Sequence, residues 1–240
     1  MFLVFMTPLI IFDPKILGSE FQIKSNLICV RRSPFQISIP NLNSDIAYLS
    51  GVVFGDGNLT LIKRKTSKYP RTKLKVYNSS ENFLLKLNRI LLKNFNYSGK
   101  IYRKKDKNCY ILEINNKLVW LYFTKFIKIK PKKKVNLHIP TVFRNRNMLK
   151  HFIAGLFDTD GYFSKCRFGI MMTGKNYNFL NEIKLLTKKF YNFNFLGPYK
   201  DKIKLNGKFR ERAQINLSTV CNSEFIKIIP LKIKSGPGKI

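Results

Sequence analysis

Two apolar segments of the chain each end in an Asp-Gly pair. Residues 44–58 are S-D-I-A-Y-L-S-G-V-V-F-G-D-G-N, and residues 147–163 are N-M-L-K-H-F-I-A-G-L-F-D-T-D-G-Y-F. An apolar run that follows a polar cap and stops at glycine is typical of a short buried helix. We therefore predict two such helices, stopped by Gly57 and Gly161. The candidate N-caps are Ser44 or Asp45 for the first helix and Asn145 or Asn147 for the second.

The pattern that follows each helix is also repeated. In the first half it predicts strands at 58–64, 72–78, 101–105 and 109–115, and helices at 80–95 and 118–127. In the second half it predicts strands at 162–165, 168–173, 196–205 and 212–218, and helices at 176–191 and 222–229. Each half therefore has the order αββαββα. The fold class is predicted to be α+β, an internal duplication about a pseudo-twofold axis with a four-stranded antiparallel sheet in each half.

This order divides the chain into five segments. They are an N-terminal arm (1–40), a first repeat (41–130), a linker (131–140), a second repeat (141–234) and a tail (235–240). Residues 1–12 are apolar, but they lack the basic start and the cleavage site of a signal peptide and are too short to span a bilayer. We expect them to form a first strand or a packed arm, with no membrane association.

The charge of the chain is strongly unbalanced. Lys and Arg total 45 against 13 Asp and Glu, which gives a net charge of +32. Such self-repulsion is best relieved by a polyanion, so nucleic acid is the expected partner. Codon bias of an AT-rich genome also favours Lys, but it does not explain the scarcity of acids.

Basic and apolar residues alternate along the predicted strands. Because successive side chains of a strand point to opposite faces, one face of each sheet is expected to be cationic and to suit a nucleic-acid groove. An ordinary solvated face is the alternative. The candidate DNA-binding residues are Lys63, Arg64, Lys73, Lys75 and Arg167.

Cysteine and histidine give no sign of a zinc site or a disulfide framework. The four cysteines are Cys29, Cys109, Cys166 and Cys221, and the two histidines are His138 and His151. They are too widely spaced for zinc-ligand motifs. This pattern favours a reducing compartment.

The candidate chemistry lies at the two Asp-Gly pairs. Small residues along the predicted helices allow close approach of their backbones: Ala47, Gly51 and Gly55 in the first, Ala154 and Gly155 in the second. If the helices pack side by side, Asp56 and Asp160 meet at one end, where two carboxylates and the helix carbonyls suit Mg²⁺. Phosphate oxygens and water would complete a phosphodiesterase centre. An EF-hand at 158–161 is excluded, because the glycine comes too early and no Glu closes the loop.

The two helix ends resemble a known sequence motif. Residues 49–57 (L-S-G-V-V-F-G-D-G) and 153–161 (I-A-G-L-F-D-T-D-G) resemble the nonapeptide of the LAGLIDADG homing endonucleases. The resemblance extends from about Pro40 to Ile229 and includes Ile-Pro steps at 39–40 and 139–140. Two copies in matched contexts make it far more specific than one.

The resemblance implies a site and a reaction. Asp56 and Asp160 would be catalytic and would bind the metal, Mg²⁺ or alternatively Mn²⁺, together with the carbonyls of Gly55 and Thr159. Two four-stranded saddles would lie in the major groove of a long asymmetric DNA site, and a monomer would cut both strands across the minor groove to leave short 3′ overhangs. The sequence departs from the family pattern at Phe54, where an acid is frequent.

A lysine, and sometimes a glutamine, lies near the water nucleophile in the family. Candidates for the lysine are Lys132, Lys133, Lys134, Lys232 and Lys234. Host intron RNA is a second candidate partner, because a maturase that assists splicing is the first rival interpretation. A DNA-binding derivative that no longer cuts is the second. An intron-encoded protein of a mitochondrion, a chloroplast or an archaeal cytoplasm fits the composition.

Overall fold

The computed structural model describes residues 21–24, 27–30, 36–62, 71–105, 107–131, 135–164, 167–205 and 207–233. The first half contains α1 (Ser44–Gly55), β4 (Gly57–Ile62), β5 (Arg71–Asn78), α2 (Glu81–Phe95), β6 (Lys100–Arg103), β7 (Tyr110–Ile114) and α3 (Lys117–Leu121). The second half contains α4 (Arg146–Asp160), β8 (Gly161–Ser164), β9 (Arg167–Thr173), α5 (Tyr177–Tyr191), β10 (Phe195–Leu205), β11 (Lys208–Leu217) and α6 (Asn222–Ile228). The predicted αββαββα order is thus confirmed in both halves.

The two four-stranded sheets have the same topology. Their strand orders are β4-β5-β7-β6 and β8-β9-β11-β10, and every neighbouring pair is antiparallel. Gly57 pairs with Val76 in the first sheet, and Gly161 pairs with Ile170 in the second. Each sheet therefore begins at the glycine of its Asp-Gly pair, and the α+β class with two related sheets is confirmed.

A third sheet precedes the first repeat and was not predicted. It is three-stranded, with the order β1 (Phe21–Lys24), β2 (Leu27–Val30) and β3 (Gln36–Ser38). The sequence pattern predicts only an N-terminal arm over this part of the chain. Residues 1–12 lie outside the described residues.

The N-cap of one motif helix differs from the prediction, and that of the other agrees with it. The N-cap of α1 is Asn43, whose side chain accepts a hydrogen bond from the backbone N–H of Ile46, and not Ser44 or Asp45. The amide of Asn43 also donates to Asn94 of α2 at 2.8 Å, a tertiary contact that local sequence does not reveal. For α4 the N-cap is Asn145, as one of the two alternatives predicted.

The two terminal glycines serve close packing and not a left-handed turn. The last residue of α1 is Gly55 with Asp56 as its C-cap, and neither Gly57 nor Gly161 has a positive φ. A Cβ on Gly57 would lie 2.5 Å from the carbonyl oxygen of Val53, and one on Gly161 would lie 2.3 Å from that of Phe157. Each strand therefore leaves its helix so tightly that a side chain has no room.

The two motif helices α1 and α4 pack against each other through glycine. A Cβ on Gly51 would lie 2.0 Å from the carbonyl oxygen of Phe152, and a Cβ on Gly155 would lie 2.0 Å from that of Tyr48. Further along, a Cβ on Gly55 would overlap the side chain of Thr159. Since the contacts advance together along both helices, the helices run parallel and their C-terminal ends lie side by side.

Each sheet buries one face against helices. On β5 the buried residues alternate with residues that are half-buried or exposed: Thr72, Leu74 and Val76 are buried, whereas Lys73 and Lys75 lie on the other face. Ala47 and Ala154 are completely buried within the motif helices. In the part of the chain that the structure describes, no helix is long and apolar enough to cross a membrane.

Candidate active site

The parallel packing of α1 and α4 brings the two motif acids to adjacent helix ends. Asp160 is the last residue of α4, and Asp56 directly follows the last residue of α1. Oδ2 of Asp160 lies 3.3 Å from the position that a Cβ on Gly55 would occupy, and Gly55 is bonded to Asp56. Both carboxyl groups are partly exposed. The two motif acids, one from each half, therefore stand at the adjacent C-terminal ends of two packed helices.

Asp56 is held by the sheet that follows it. Its backbone carbonyl accepts from the N–H of Tyr77 at 3.3 Å, which extends the β4–β5 pairing by one position. Its Oδ2 accepts from the side-chain amide of Asn78 at 3.3 Å. Asn78 was not predicted as a site residue, although it directly follows Tyr77, the residue opposite Asp56 in the strand register.

A cavity of about 370 Å³ opens beside Asp56. Its polar lining includes Asp56, Asn58, Tyr77 and Lys130. Lys130 is exposed and is the last residue of the first repeat. Among the candidate lysines, Lys132, Lys133, Lys134 and Lys234 lie outside the described residues, and sequence analysis did not single out Lys130.

The donors present suit a hard divalent cation. Two carboxylates at the carbonyl ends of two helices provide oxygen atoms and partial negative charge. Among the described residues, no group of three or more His, Cys, Asp and Glu side chains could hold a metal ion. A cation at the two acids would therefore need backbone carbonyls, water or a ligand phosphate to complete its shell.

Thr159 and Gly55 occupy equivalent motif positions but differ in shape. The hydroxyl of Thr159 donates back along α4 to the carbonyls of Leu156 (2.9 Å) and Gly155 (3.2 Å). Its side chain fills the space where a Cβ of Gly55 would lie. The small residue in one helix is therefore required by the larger one in the other.

The other acid of the second motif, Asp158, has a different environment. Asp158 is 2% exposed and accepts from the hydroxyl of Tyr48 at 2.7 Å. It also accepts from the backbone N–H groups of Lys232 (2.8 Å) and Ile233 (3.4 Å). Asp158 thus joins the motif helix of the first half to the C-terminal segment of the second.

Lys232 extends the same connection and does not point to the paired acids. Its Nζ lies 3.4 Å from Oδ1 of Asp45 and 4.4 Å from the centre of the Tyr48 ring. Asp45 is in the first turn of α1, at the opposite end from Asp56 and roughly 16 Å away at 1.5 Å per residue. The suggestion that Lys232 lies near the water nucleophile is therefore wrong, because its ammonium group is held elsewhere.

We expect Asp158→Asn to destabilise the fold by about 2–3 kcal/mol, because an amide nitrogen would then face the hydrogen-bond donors that the buried carboxylate accepts from. Urea unfolding measures this change. At a temperature where the variant is folded, any nuclease activity should remain within a few-fold of wild type. Loss of activity in the fully folded variant would contradict a purely structural role.

The expected cationic face is present on the first sheet, but its lysines are paired. Nζ of Lys73 and Nζ of Lys75 each lie 2.8 Å from an oxygen of Glu113. Arg167 is exposed at the start of β9. Lys63 and Arg64 lie outside the described residues.

The second sheet also carries an ion pair, which was not predicted. Arg212 of β11 donates from Nε to both carboxylate oxygens of Asp201 on β10, at 2.5 and 2.8 Å. One of its terminal nitrogens also lies 3.4 Å from the sulfur of Met171. Alternation predicts which residues share a face, but not which acid on a neighbouring strand will pair with them.

Comparison with known proteins supports the same family in sequence. The model of the LAGLIDADG-like domain matches residues 43–127 and 147–193, one segment in each half. Glutamine–fructose-6-phosphate aminotransferase (isomerizing) from Methanocaldococcus jannaschii is 30% identical over 151 residues, which are 61% of this chain. The chain spans only 13% of the length of that protein. Its aminotransferase activity is therefore not transferred to this chain.

Similar solved structures include the homing endonuclease I-DmoI. Its complex with DNA and Mn is 22% identical, with a TM-score of 0.55, and the match covers 78% of this chain and 96% of that chain. Its complex with DNA and Ca is 21% identical, with a TM-score of 0.57, covering 78% and 88%. At this identity the similarity establishes the fold. Together with the family match over both halves, it identifies the chain as a member of the LAGLIDADG-like domain family, with the two-repeat fold of the homing endonucleases.

Proposed function

We propose that this protein is a site-specific endonuclease that hydrolyses both strands of a long, asymmetric double-stranded DNA site with divalent metal ions. The observation that carries the proposal is the pair of motif acids, Asp56 and Asp160, at adjacent ends of two parallel helices. A protein that only binds DNA has no need for two acids there, since they repel phosphate. Origin as an intron-encoded, monomeric enzyme belongs to this proposal.

Different residues of the chain would have different roles at this centre. Asp56 and Asp160 would hold Mg²⁺ or Mn²⁺, with the carbonyls of Gly55 and Thr159 beside them. When bound, the metal supplies a Lewis acid and lowers the pKa of a water molecule. Asn78 orients the Asp56 carboxylate through its amide. Lys130, from the rim of the same cavity, is our candidate for the cation beside the attacking water.

The two sheets would supply the binding surface. Each follows directly from a motif acid, so a duplex lying along both sheets would carry its backbone past the paired carboxylates. I-DmoI, which has this fold, has been solved with DNA in the presence of Mn and of Ca. These complexes support double-stranded DNA as the partner and divalent metal as the cofactor.

The experiment that tests the proposal separates binding from cutting by exchange of the metal. Duplexes with a randomised 30-base-pair region are enriched on the protein in Ca²⁺ and then moved into Mg²⁺. We expect binding but little cleavage in Ca²⁺, because its coordination is longer and looser, and double-strand cleavage of the enriched duplexes in Mg²⁺. EDTA should stop the cleavage.

The other outcomes identify the rival functions. Enriched duplexes that stay intact in both Mg²⁺ and Mn²⁺ would indicate a DNA-binding derivative that no longer cuts. Failure to enrich any duplex, together with tight binding of the host intron RNA, would indicate a maturase. Either result would overturn the proposal.

A further inference from the structure

Among the described residues of the first sheet's strands, one carboxylate lies within the cationic face. Glu113, on β7, is bonded through its two oxygens to Lys73 and Lys75 on β5, both at 2.8 Å. It also accepts from the hydroxyl of Tyr102 at 3.0 Å and the amide of Asn115 at 2.7 Å. Its side chain is only 11% exposed. Four donors therefore converge on one largely shielded acid.

The charge of Glu113 is maintained by its neighbours. Burial raises the pKa of this carboxyl group, but the hydrogen bonds from the two lysines, Asn115 and Tyr102 outweigh burial and hold the pKa well below its usual value. The bond to Glu113 raises the pKa of Lys75. At neutral pH the cluster is thus a fixed arrangement of two cations around one anion.

A negative charge at this place lowers the affinity of the sheet for DNA of any sequence. It cancels one positive charge on the face that would meet phosphates, in a chain with only 13 acids. In return, it restricts the two ammonium groups to one geometry before DNA arrives, so less side-chain entropy is lost on binding. Fixed donors favour discrimination between bases, whereas mobile lysines favour contact with any phosphate.

We propose that Glu113 is a specificity-determining positioning residue, which holds Lys73 and Lys75 as donors for the major-groove edge of guanine in the half-site that the first sheet contacts. An ammonium group has three N–H donors. Lys73 keeps two of them after it bonds to Glu113, and Lys75, which also donates to the hydroxyl of Tyr102 at 3.3 Å, keeps one for guanine O6 or N7. This inference rests on the proposed DNA-binding function.

The second sheet lacks this arrangement at the equivalent position. Leu112 pairs with Val76 as Ile215 pairs with Ile170, so the register makes Asn216 the counterpart of Glu113. Asn216 accepts from the hydroxyl of Tyr162 and carries no charge. The prediction of guanine contacts from paired lysines therefore concerns the first half alone.

The test compares Glu113→Gln with a charge-matched control, Asp45→Asn. Both changes remove one negative charge and release two lysines, but Asp45 lies at the end of α1 opposite Asp56 and is paired with Lys93 and Lys232. Affinity for a pool of random-sequence 30-base-pair duplexes is measured in Ca²⁺ at several KCl concentrations. Sequence preference is measured by enrichment from the same pool.

We expect Glu113→Gln to bind the random pool about eightfold more tightly at 0.1 M salt for each additional phosphate that the released lysines neutralise, with a salt slope steeper by about 0.9 per phosphate. Its preference for guanine in one half-site should fall about fivefold or more. Asp45→Asn should change neither quantity by more than about twofold. Lys75→Met should lose the same preference without tighter binding, which tests the proposal even if Glu113→Gln does not fold.

Three other results would contradict either the proposal or the DNA-binding function on which it rests. Uniformly weaker binding by folded Glu113→Gln, with preference unchanged, would overturn the proposal. So would an unchanged guanine preference in Lys75→Met. A wild-type protein that binds no duplex would instead refute the DNA-binding function itself.

Discussion

Replacing either motif acid with its amide, Asp56→Asn or Asp160→Asn, is expected to abolish double-strand cleavage while DNA binding persists. The amide keeps the shape of the side chain but removes the charge that holds the metal, and positioning alone cannot replace Lewis-acid and water activation. Binding should persist because the sheets supply the contacts. It is expected to tighten slightly, since an anion near phosphate is lost.

The matched control for these variants is Asp158→Asn, which removes an acid from the same helix. Asp158 faces Tyr48 and the C-terminal segment, so its amide variant should cut DNA once folded. Cleavage products are measured on both strands in Mg²⁺. Full activity in Asp56→Asn and Asp160→Asn would refute the paired-acid mechanism. Loss of activity only in Asp158→Asn would mean that the catalytic acids are wrongly assigned.

The second large effect is expected at the helix interface, where Gly155→Ala should prevent stable folding. The new Cβ would lie 2.0 Å from the carbonyl oxygen of Tyr48 and 2.9 Å from the backbone nitrogen of Val52. Backbone atoms cannot move aside as a flexible side chain can, so α1 and α4 must separate along their length. We expect a loss of at least about 4 kcal/mol, measured by urea unfolding or by loss of soluble protein.

The control for Gly155→Ala is Ser50→Ala in the facing helix. Ser50 is completely buried, and its hydroxyl donates to the carbonyl of Ile46 one turn earlier at 2.7 Å. Such a bond contributes little to helix stability, so the change should cost less than about 1 kcal/mol. Equal stability of the two variants would contradict the close approach of the motif helices.

Hydrophobic periodicity was sufficient to predict most of the architecture. The αββαββα order in both halves and the joining of each sheet to its Asp-Gly pair follow from local pattern. Boundaries differ by a few residues at most for most elements, as with the strand predicted at 72–78 and observed at Arg71–Asn78. The helix predicted at 118–127 is instead α3 followed by a wider π turn at Tyr122–Phe126, closed by the bond from Ile127 N to Tyr122 O at 3.0 Å.

What the sequence did not reveal depends on contacts between distant segments. Asn43 caps α1 and also bonds to Asn94. Asp158 accepts a hydrogen bond from the backbone of a segment more than seventy residues later. Glu113 reaches Lys73 and Lys75 through strand pairing. None of these partners is adjacent in sequence, so periodicity cannot identify them. Repetition did identify Asp56 and Asp160 as candidates, because the same pair occurs at equivalent positions in both halves.

The central claim is that the two motif acids form one metal-dependent centre that cuts both strands of DNA. It is tested most directly by incubating the protein in Mg²⁺ with its host gene from which the intervening sequence has been removed, and by mapping the ends on each strand. We predict a single double-strand break, with the two cuts a few base pairs apart and with no product in EDTA or in Asp56→Asn. An intact duplex in Mg²⁺ and Mn²⁺, or equal cleavage by Asp56→Asn, would contradict the claim.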